Sequence, residues 1–314
     1  MNIDSVPPGA RRIPEERFRD LPDYPFKPHY AMVEGARMHY LDEGSGSPVL
    51  MLHGEPTWSY LYRKFIPPIV SEGYRVIAPD HIGFGKSDKY LDPAEYTYDS
   101  HFRNLERLVI KQLNLSGITL VCQDWGGLLG LPLVSKFPER FSRLVIMNTY
   151  LLGLPRPEPP ASGQPVVERP RPGTWRENSQ RLLTAAPSMG LFMENSPGRG
   201  RKLSDEEMRA YSAPFPDMES RGSALRFPLL IPPLPTVVQF EEVVKVLSRW
   251  DKPVLLMWGD ADGVFPIETA GEGLHHFFKT SNKPIRIEGG THFVQETDPA
   301  RLTREIIDFL KRTK

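Results

Sequence analysis

The stretch Cys122-Gln123-Asp124-Trp125-Gly126-Gly127 decides the fold of this 314-residue chain. The four residues before it are β-branched or apolar and predict a buried strand, whereas residues 128–137 predict a helix. A strand, a tight turn with small residues and a helix are typical of a nucleophile elbow, which exposes one side chain above a sheet. Asp124 stands at the exposed position. The alternative role for Asp124 is a simple N-cap of the following helix.

An aspartate at this position predicts a particular chemistry. Serine hydrolases carry a serine there, whereas a carboxylate is already ionised at neutral pH and attacks without a base removing a proton. Asp124 therefore excludes a serine esterase, unless another serine is recruited.

The order of the predicted elements indicates an α/β fold. Strands and helices alternate along most of the chain, which predicts a mostly parallel central sheet flanked by helices, with an antiparallel hairpin over residues 30–41 at its edge. The alternation stops after residue 150. Residues 155–172 contain seven prolines and predict an extended crossing segment, and short helical stretches follow at 175–183 and 204–211. We therefore expect a core domain of residues 1–150 and 236–314 and an inserted helical cap of residues 151–235.

Composition excludes several classes of function. The 39 basic and 39 acidic residues cancel, which argues against nucleic-acid binding or attraction to an anionic membrane. No apolar run approaches the ~20 residues of a membrane span, and the first residues do not resemble a signal peptide. Cys122 is the single cysteine. These features favour a cytoplasmic protein, and we expect a monomer.

Nucleophilic catalysis by a carboxylate also requires a base and an acid that orients it. His292 follows the last predicted strand on a glycine-rich loop, at the sheet edge where α/β sites lie. The order nucleophile, acid, histidine fits an α/β hydrolase. The acid should follow the preceding strand, where Asp260 and Asp262 both stand. We choose Asp262 because it lies two residues farther into the loop, and we expect Asp260 to be a turn former that bonds its own backbone.

An oxyanion hole in this fold uses the backbone N–H after the nucleophile and one from a loop after an earlier strand. The first is the N–H of Trp125, and the second should be the N–H of Glu55, in the loop His53-Gly54-Glu55-Pro56. The Glu55 side chain could in addition hold a water near the ester. A surface charge is the alternative for Glu55.

Three motifs carry a resemblance to a known family. The stretch His53-Gly54-Glu55-Pro56-Thr57-Trp58-Ser59-Tyr60, the elbow and Gly290-Thr291-His292-Phe293 resemble those of haloalkane dehalogenases, over nearly the whole chain. The resemblance implies that the indole N–H groups of Trp125 and of the cap residue Trp175 bind the departing halide. It implies small halogenated alkanes as substrates and a covalent alkyl ester on Asp124, which water activated by His292 hydrolyses. No cofactor or metal is required.

Two other functions remain open. An epoxide hydrolase shares the aspartate nucleophile and the histidine base, but that family draws two tyrosines from its cap to protonate the alkoxide. Residues 151–235 contain one tyrosine, Tyr211. A small-molecule receptor built on the same fold is the non-enzymatic alternative, and turnover would distinguish it.

Overall fold

The computed structural model describes residue 3 and residues 5–154, 172–231 and 236–314, although for residues 172–178 it describes the backbone alone. Within these residues, an eight-stranded sheet has the order β10-β9-β8-β7-β4-β5-β3-β2, and β1 pairs with β6 apart from it. The strands are β1 (Ala10–Arg11), β2 (His29–Val33), β3 (Ala36–Gly44), β4 (Pro48–Leu52), β5 (Arg75–Pro79), β6 (Lys89–Tyr90), β7 (Ile118–Gln123), β8 (Phe141–Met147), β9 (Val254–Gly259) and β10 (Ile285–Ile287).

Helices connect these strands. The α-helices are α1 (Ile66–Ser71), α2 (Tyr98–Glu106), α3 (Trp125–Lys136), α4 (Pro172–Ala185), α5 (Met189–Met193), α6 (Asp205–Ser212), α7 (Gly222–Arg226), α8 (Phe240–Leu247), α9 (Glu272–Phe277), α10 (Val294–Thr297) and α11 (Pro299–Arg312). A π-helical turn, Arg107–Gln112, extends α2, and another, Ile267–Gly271, precedes α9.

The sheet confirms the predicted fold class. Strands β4, β5, β7, β8, β9 and β10 pair in parallel, and the predicted hairpin of β2 and β3 forms the antiparallel edge. All six residues of β7 are buried, as expected for a central strand covered on both faces. The carboxyl ends of β4, β7, β8 and β9 therefore meet at one edge of the sheet.

The chain between β8 and β9 contributes helices and no strand of the sheet in the part that the structure describes. Helix α6 begins with a capping box, in which Ser204 and Glu207 each accept from the other residue's backbone N–H. The predicted extended segment, residues 155–172, lies almost entirely outside the described residues, and Pro172 begins α4.

The N-terminal region is more regular than its polar, proline-bearing sequence predicts. Residues 1–29 are predicted as an irregular arm, but β1 pairs antiparallel with β6 and a 3₁₀ turn forms at Glu15–Phe18. The glycine-bearing sequence of residues 80–87, after β5, predicts a structural turn and not a phosphate-binding loop, and the backbone hydrogen bonds of Phe84 to His81 and of Ser87 to Phe84 are those of such a turn. The buried Asp80 carboxylate accepts hydrogen bonds from the His39 ring and from the backbone N–H groups of Ser59 and Lys86. Burial opposes its ionisation, but the His39 ring and the N–H donors hold the Asp80 pKa well below its usual range.

The described helices include none that is both long enough and apolar enough to cross a membrane. Cys122 is a free, buried thiol at the end of β7, and burial raises its pKa.

Candidate active site

Asp124 lies at the sharp turn between β7 and α3. Its backbone has φ 50° and ψ −124°, a left-handed conformation that a non-glycine residue rarely adopts. The Asp124 N–H donates to Asn148 O at 3.0 Å, and the Thr149 hydroxyl donates to Asp124 O at 2.6 Å. These contacts with the residues after β8 hold the strained turn in place.

Two glycines allow the chain to pass close to this turn. A Cβ atom on Gly54 would lie 2.4 Å from Asp124 Cβ, and one on Gly126 would lie 2.0 Å from Leu52 O. Both distances are too short for any side chain. The loop after β4 and the first turn of α3 therefore approach the Asp124 carboxylate directly.

The structure brings Asp124, His292 and Asp262 together. His292 Nε2 lies 3.4 Å from Asp124 Oδ2, and His292 Nδ1 lies 3.1 Å from Asp262 Oδ2. Asp262 is 4% exposed and Asp124 is 6% exposed, so both carboxylates are largely shielded from water. Burial lowers the His292 pKa, but the two carboxylates outweigh burial and raise it to about 10.

The two acidic candidates have different partners. Asp262 Oδ1 accepts from the backbone N–H groups of Val264 and Phe265, which turns the carboxylate toward the His292 ring. Asp260 is exposed, and its Oδ1 accepts from the Gly289 N–H at 2.7 Å. The expectation that Asp260 bonds its own backbone is therefore wrong. It instead ties the end of β9 to the loop after β10, because those two parallel strands are neighbours.

The loop after β4 supplies a donor to the nucleophile. The Glu55 N–H donates to Asp124 Oδ1 at 2.8 Å. The Glu55 side chain is not a surface charge, since its Oε1 is buried and has no hydrogen-bond partner among the described residues. Burial, and after it the Asp124 charge, raise the Glu55 pKa well above its usual range. Both causes favour the protonated form of the Glu55 carboxyl.

Trp125 begins α3 and is 1% exposed. Its ring packs against Phe227 with centroids 4.3 Å apart, and Phe227 comes from the helical insert. No described residue accepts a hydrogen bond from the Trp125 indole N–H. Trp175 lies within α4, but its side chain lies outside the described part of the chain.

Two residues at this edge of the sheet were not predicted from the sequence to belong to the site. Asn148 follows β8 directly, and its Nδ2 donates to Asp262 Oδ2 at 2.7 Å while its Oδ1 accepts from the Gly259 N–H at 3.1 Å. Gln123 ends β7, and its Nε2 lies 3.1 Å from both His292 O and His292 Nε2. The rule that sites lie at the carboxyl ends of parallel strands, which located His292, would also have singled out Asn148.

A buried ion network joins the insert to the segment that carries His292. The Arg63 guanidinium donates to Glu296, four residues after His292, and to Glu207 of α6. Lys64 also donates to Glu207, and the Tyr211 hydroxyl of α6 donates to Glu296. Arg63 and Glu296 are nearly inaccessible to water, so each charge is balanced inside the protein.

The described residues contain no group of three or more His, Cys, Asp or Glu side chains that could hold a metal ion. His275 and His276, on α9, bond to Ser281 and to the Glu272 carbonyl. They contribute nothing to the site.

Comparisons with known proteins show which proteins this chain is similar to. The sequence profile of the α/β-hydrolase fold matches residues 47–299. The chain is 39% identical to a haloalkane dehalogenase of Psychrobacter cryohalolentis, over 95% of this chain and 97% of that protein. It is 36% identical to a cis-3-alkyl-4-alkyloxetan-2-one decarboxylase of Shewanella oneidensis, over 77% of this chain and 75% of that protein. The solved tetrameric structure of haloalkane dehalogenase DpaA from Paraglaciecola agarilytica superposes with a TM-score of 0.79, at 34% identity and 97% coverage of both chains.

Proposed function

This chain belongs to the haloalkane dehalogenase family of the α/β-hydrolase fold, and on that premise we propose that it hydrolyses small haloalkanes to an alcohol, a halide ion and a proton. The observation that carries the proposal is the setting of one carboxylate. Asp124 is held at the elbow, receives the Glu55 N–H on one oxygen and has His292 3.4 Å from the other.

The first stage is a displacement at carbon. An Asp124 oxygen attacks the carbon that bears the halogen, the carbon–halogen bond breaks with its electron pair, and an alkyl ester and a halide ion result. No proton moves, so no general acid is required. The Trp125 indole N–H is the donor we assign to the halide, and Trp175 is the second donor we expect from the insert.

The second stage is hydrolysis of the ester. Water attacks Cγ of Asp124 and passes a proton to His292 Nε2, while Asp262 stabilises the imidazolium. The N–H groups of Glu55 and Trp125 stabilise the oxyanion. Collapse of the intermediate releases the alkoxide, which takes the proton from His292 and leaves as the alcohol, and the regenerated Asp124 carboxyl loses its proton to solvent.

Esterification also prepares the base. The Asp124 charge is one of the two negative charges that raise the His292 pKa. Once Asp124 becomes an ester, that charge is gone and the His292 pKa falls, which favours the neutral ring. The histidine is then a competent base in the stage that uses it.

The environment of Tyr211 disfavours epoxide hydrolysis. An acid that protonates an alkoxide needs a free hydroxyl, but the Tyr211 hydroxyl donates to the buried carboxylate of Glu296. Burial, and after it the Glu296 charge, raise the Tyr211 pKa well above its usual value, so the group is a poorer acid than a free tyrosine.

The decisive experiment uses His292→Phe with 1-bromobutane. We expect about one bromide per enzyme and then no turnover, because the ester forms and water is not activated. Mass spectrometry should locate a butyl group on Asp124, and Asp124→Asn should release no bromide. His276→Phe, on the exposed face of α9, is the matched control and should turn over normally.

Counter-substrates test the choice of substrate class. The wild-type protein should act faster on bromoalkanes than on a 1,2-epoxyalkane or a dialkyl oxetan-2-one. Turnover of either of these without halide release from any bromoalkane or chloroalkane would overturn the proposal. Binding without turnover of any of them would favour the receptor alternative.

We further propose that residues 151–235 act as a cap over this site and that the protein is a cytoplasmic monomer. The helical insert and the contact of Phe227 with Trp125 support the cap, and the single buried thiol supports the location. Light scattering of the purified protein tests the monomer, and a tetramer such as the one described for DpaA would overturn it.

A further inference from the structure

His292 lies on a loop that the helical insert contacts directly. We call residues 288–293, between β10 and α10, the base loop, and residues 194–204, between α5 and α6, the insert loop. The Thr291 hydroxyl, in the base loop, donates to the carbonyl oxygen of Ser196, in the insert loop, at 2.6 Å. Thr291 directly precedes His292, so the insert is bonded to the neighbour of the base.

The backbones of the two loops also approach closely. A Cβ atom on Gly198 would lie 2.3 Å from Gly289 O, which is too close for any side chain. The next residue, Arg199, donates from Nε to the carbonyl oxygen of Glu288, and its guanidinium lies 3.8 Å from the Asp298 carboxylate. The insert loop therefore contacts three of the four residues that precede His292.

The insert loop has internal hydrogen bonds that fix its own shape. The Leu203 N–H donates to Glu194 O at 2.8 Å, which closes the loop at its base. The Ser196 N–H donates to Met193 O, also at 2.8 Å, and Ser196 is buried. The carbonyl that accepts from Thr291 is therefore held in place from within the insert.

The base loop depends on such contacts because a pair of glycines precedes Thr291, and glycine restricts the backbone least. On the core side, the Gly289 N–H donates to Asp260 Oδ1, and Asn148 Nδ2 donates to Thr291 O at 3.3 Å. The insert holds the loop from the other side through the Thr291 side chain. Together these contacts fix the backbone from which the His292 ring projects.

We propose that Thr291 and the insert loop position His292 for ester hydrolysis. This inference rests on the proposed function, since it concerns the second stage of the same reaction. In that stage Nε2 of His292 must lie where it can take a proton from the attacking water. The first stage needs no base, because the Asp124 carboxylate attacks carbon without losing a proton. Loss of the contact between the loops should therefore slow the second stage and leave the first unchanged.

Thr291→Val tests the side-chain contact, because it keeps the branched shape and removes the hydroxyl. Quenched-flow mass spectrometry with 1-bromobutane should show ester hydrolysis slowed about fivefold, as expected for the loss of one neutral hydrogen bond. Bromide release in the first turnover should stay close to that of the wild type. Thr291→Ser keeps the hydroxyl and should recover most of the hydrolysis rate.

Thr280→Val is the matched control for this substitution. The Thr280 hydroxyl also donates to a backbone carbonyl, that of Lys252 at 2.7 Å. Lys252 lies two residues before β9, so this contact is at the amino end of the strand, at the opposite edge of the sheet from the site. Its loss should leave both stages unchanged.

Gly198→Ala tests the backbone contact, because the added methyl group must push the insert loop away from Gly289 O. Gly200→Ala is the matched control. Both glycines have a left-handed backbone, with φ 64° and 71°, but a Cβ atom on Gly200 meets nothing within 4 Å. The backbone strain is therefore common to the two variants. We expect ester hydrolysis to slow at least tenfold in Gly198→Ala alone, because small displacements of a reacting group are costly.

Each outcome decides between the alternatives. Unchanged ester hydrolysis in Thr291→Val and Gly198→Ala would overturn the positioning role and leave the proposed function intact. Equal slowing of both stages would also overturn it, because that result indicates a general distortion of the site. Equal effects of Gly198→Ala and Gly200→Ala would overturn the backbone contact as the cause. Absence of bromide release from the wild type would instead overturn the proposed function. If Gly198→Ala does not fold, Thr291→Val and Thr291→Ser decide by the same criteria.

Discussion

The side chain of Asn148 donates a hydrogen bond to Asp262 Oδ2 at 2.7 Å, although the two residues are 114 positions apart in the chain. The same side chain accepts from the Gly259 N–H, at the end of the strand that leads to Asp262. Asn148 thus holds both the carboxylate and the backbone that carries it. His292 Nδ1 then meets a carboxylate whose orientation is set from the neighbouring strand.

Asn148→Ala should therefore slow ester hydrolysis. The loss of a buried hydrogen bond to a charged group costs about 1.5–3 kcal/mol, so we expect about a tenfold to hundredfold loss of turnover. Halide release in the first turnover should change little, because that stage needs no base. The control is Asn282→Ala. The Asn282 amide forms hydrogen bonds with the backbone of Leu256, which lies in β9 but away from the site. It should lower the melting temperature without changing turnover per folded enzyme. Equal losses in the two variants would contradict the prediction.

The two acidic residues after β9 should differ sharply. Asp262→Asn removes the charge that orients and stabilises the imidazolium, with an expected loss of turnover of several powers of ten. Asp260→Asn keeps a side-chain oxygen that can accept from Gly289 N–H, so it should retain most activity. Steady-state halide release and thermal unfolding of both variants test this pair. The reverse order of effects would move the acid to Asp260.

The ion network around Arg63 should stabilise the folded protein, although we assign it no part in the reaction. Arg63→Met leaves the buried Glu296 and the partly buried Glu207 without their guanidinium partner, and we expect a loss of about 3–5 kcal/mol in the free energy of unfolding. Tyr211→Phe removes one hydrogen bond to Glu296 and should cost about 1–3 kcal/mol. Urea unfolding measures both. The control is Arg107→Met at the exposed pair with Glu34, where a loss above about 1 kcal/mol would be unexpected.

The tryptophans test the halide site. Trp125→Phe and Trp175→Phe each keep an aromatic ring and remove one N–H donor, which typically costs ~3–4 kcal/mol at a developing charge and predicts a loss of two or more powers of ten. In both variants, bromide should quench the remaining tryptophan fluorescence more weakly than the loss of one fluorescent side chain alone would explain. The control is Trp250→Phe, which should dehalogenate normally. The Trp250 indole N–H is buried and has no partner among the described residues. If Trp175→Phe dehalogenates normally and still binds bromide tightly, Trp175 only packs in the insert.

The sequence by itself determined the elbow, the parallel sheet and the positions at which polar residues follow its strands. These features depend on short-range patterns, namely apolar strands, glycines that allow close approach and the type of residue at the turn. Asp124, His292 and Asp262 were therefore selected from the sequence. In the structure, His292 Nε2 lies 3.4 Å from Asp124 Oδ2 and His292 Nδ1 lies 3.1 Å from Asp262 Oδ2.

Only the tertiary structure decided which other side chains contact Asp262 and His292. Asn148 reaches Asp262 because β8 and β9 are neighbours in the sheet, and Gln123 reaches His292 across 169 residues of chain. The Arg63 guanidinium donates to carboxylates on α6 and α10, which are also distant from it in the chain. A local sequence pattern predicts how one segment folds, whereas these contacts depend on strand order and on how the insert packs, and no spacing along the chain encodes either of them.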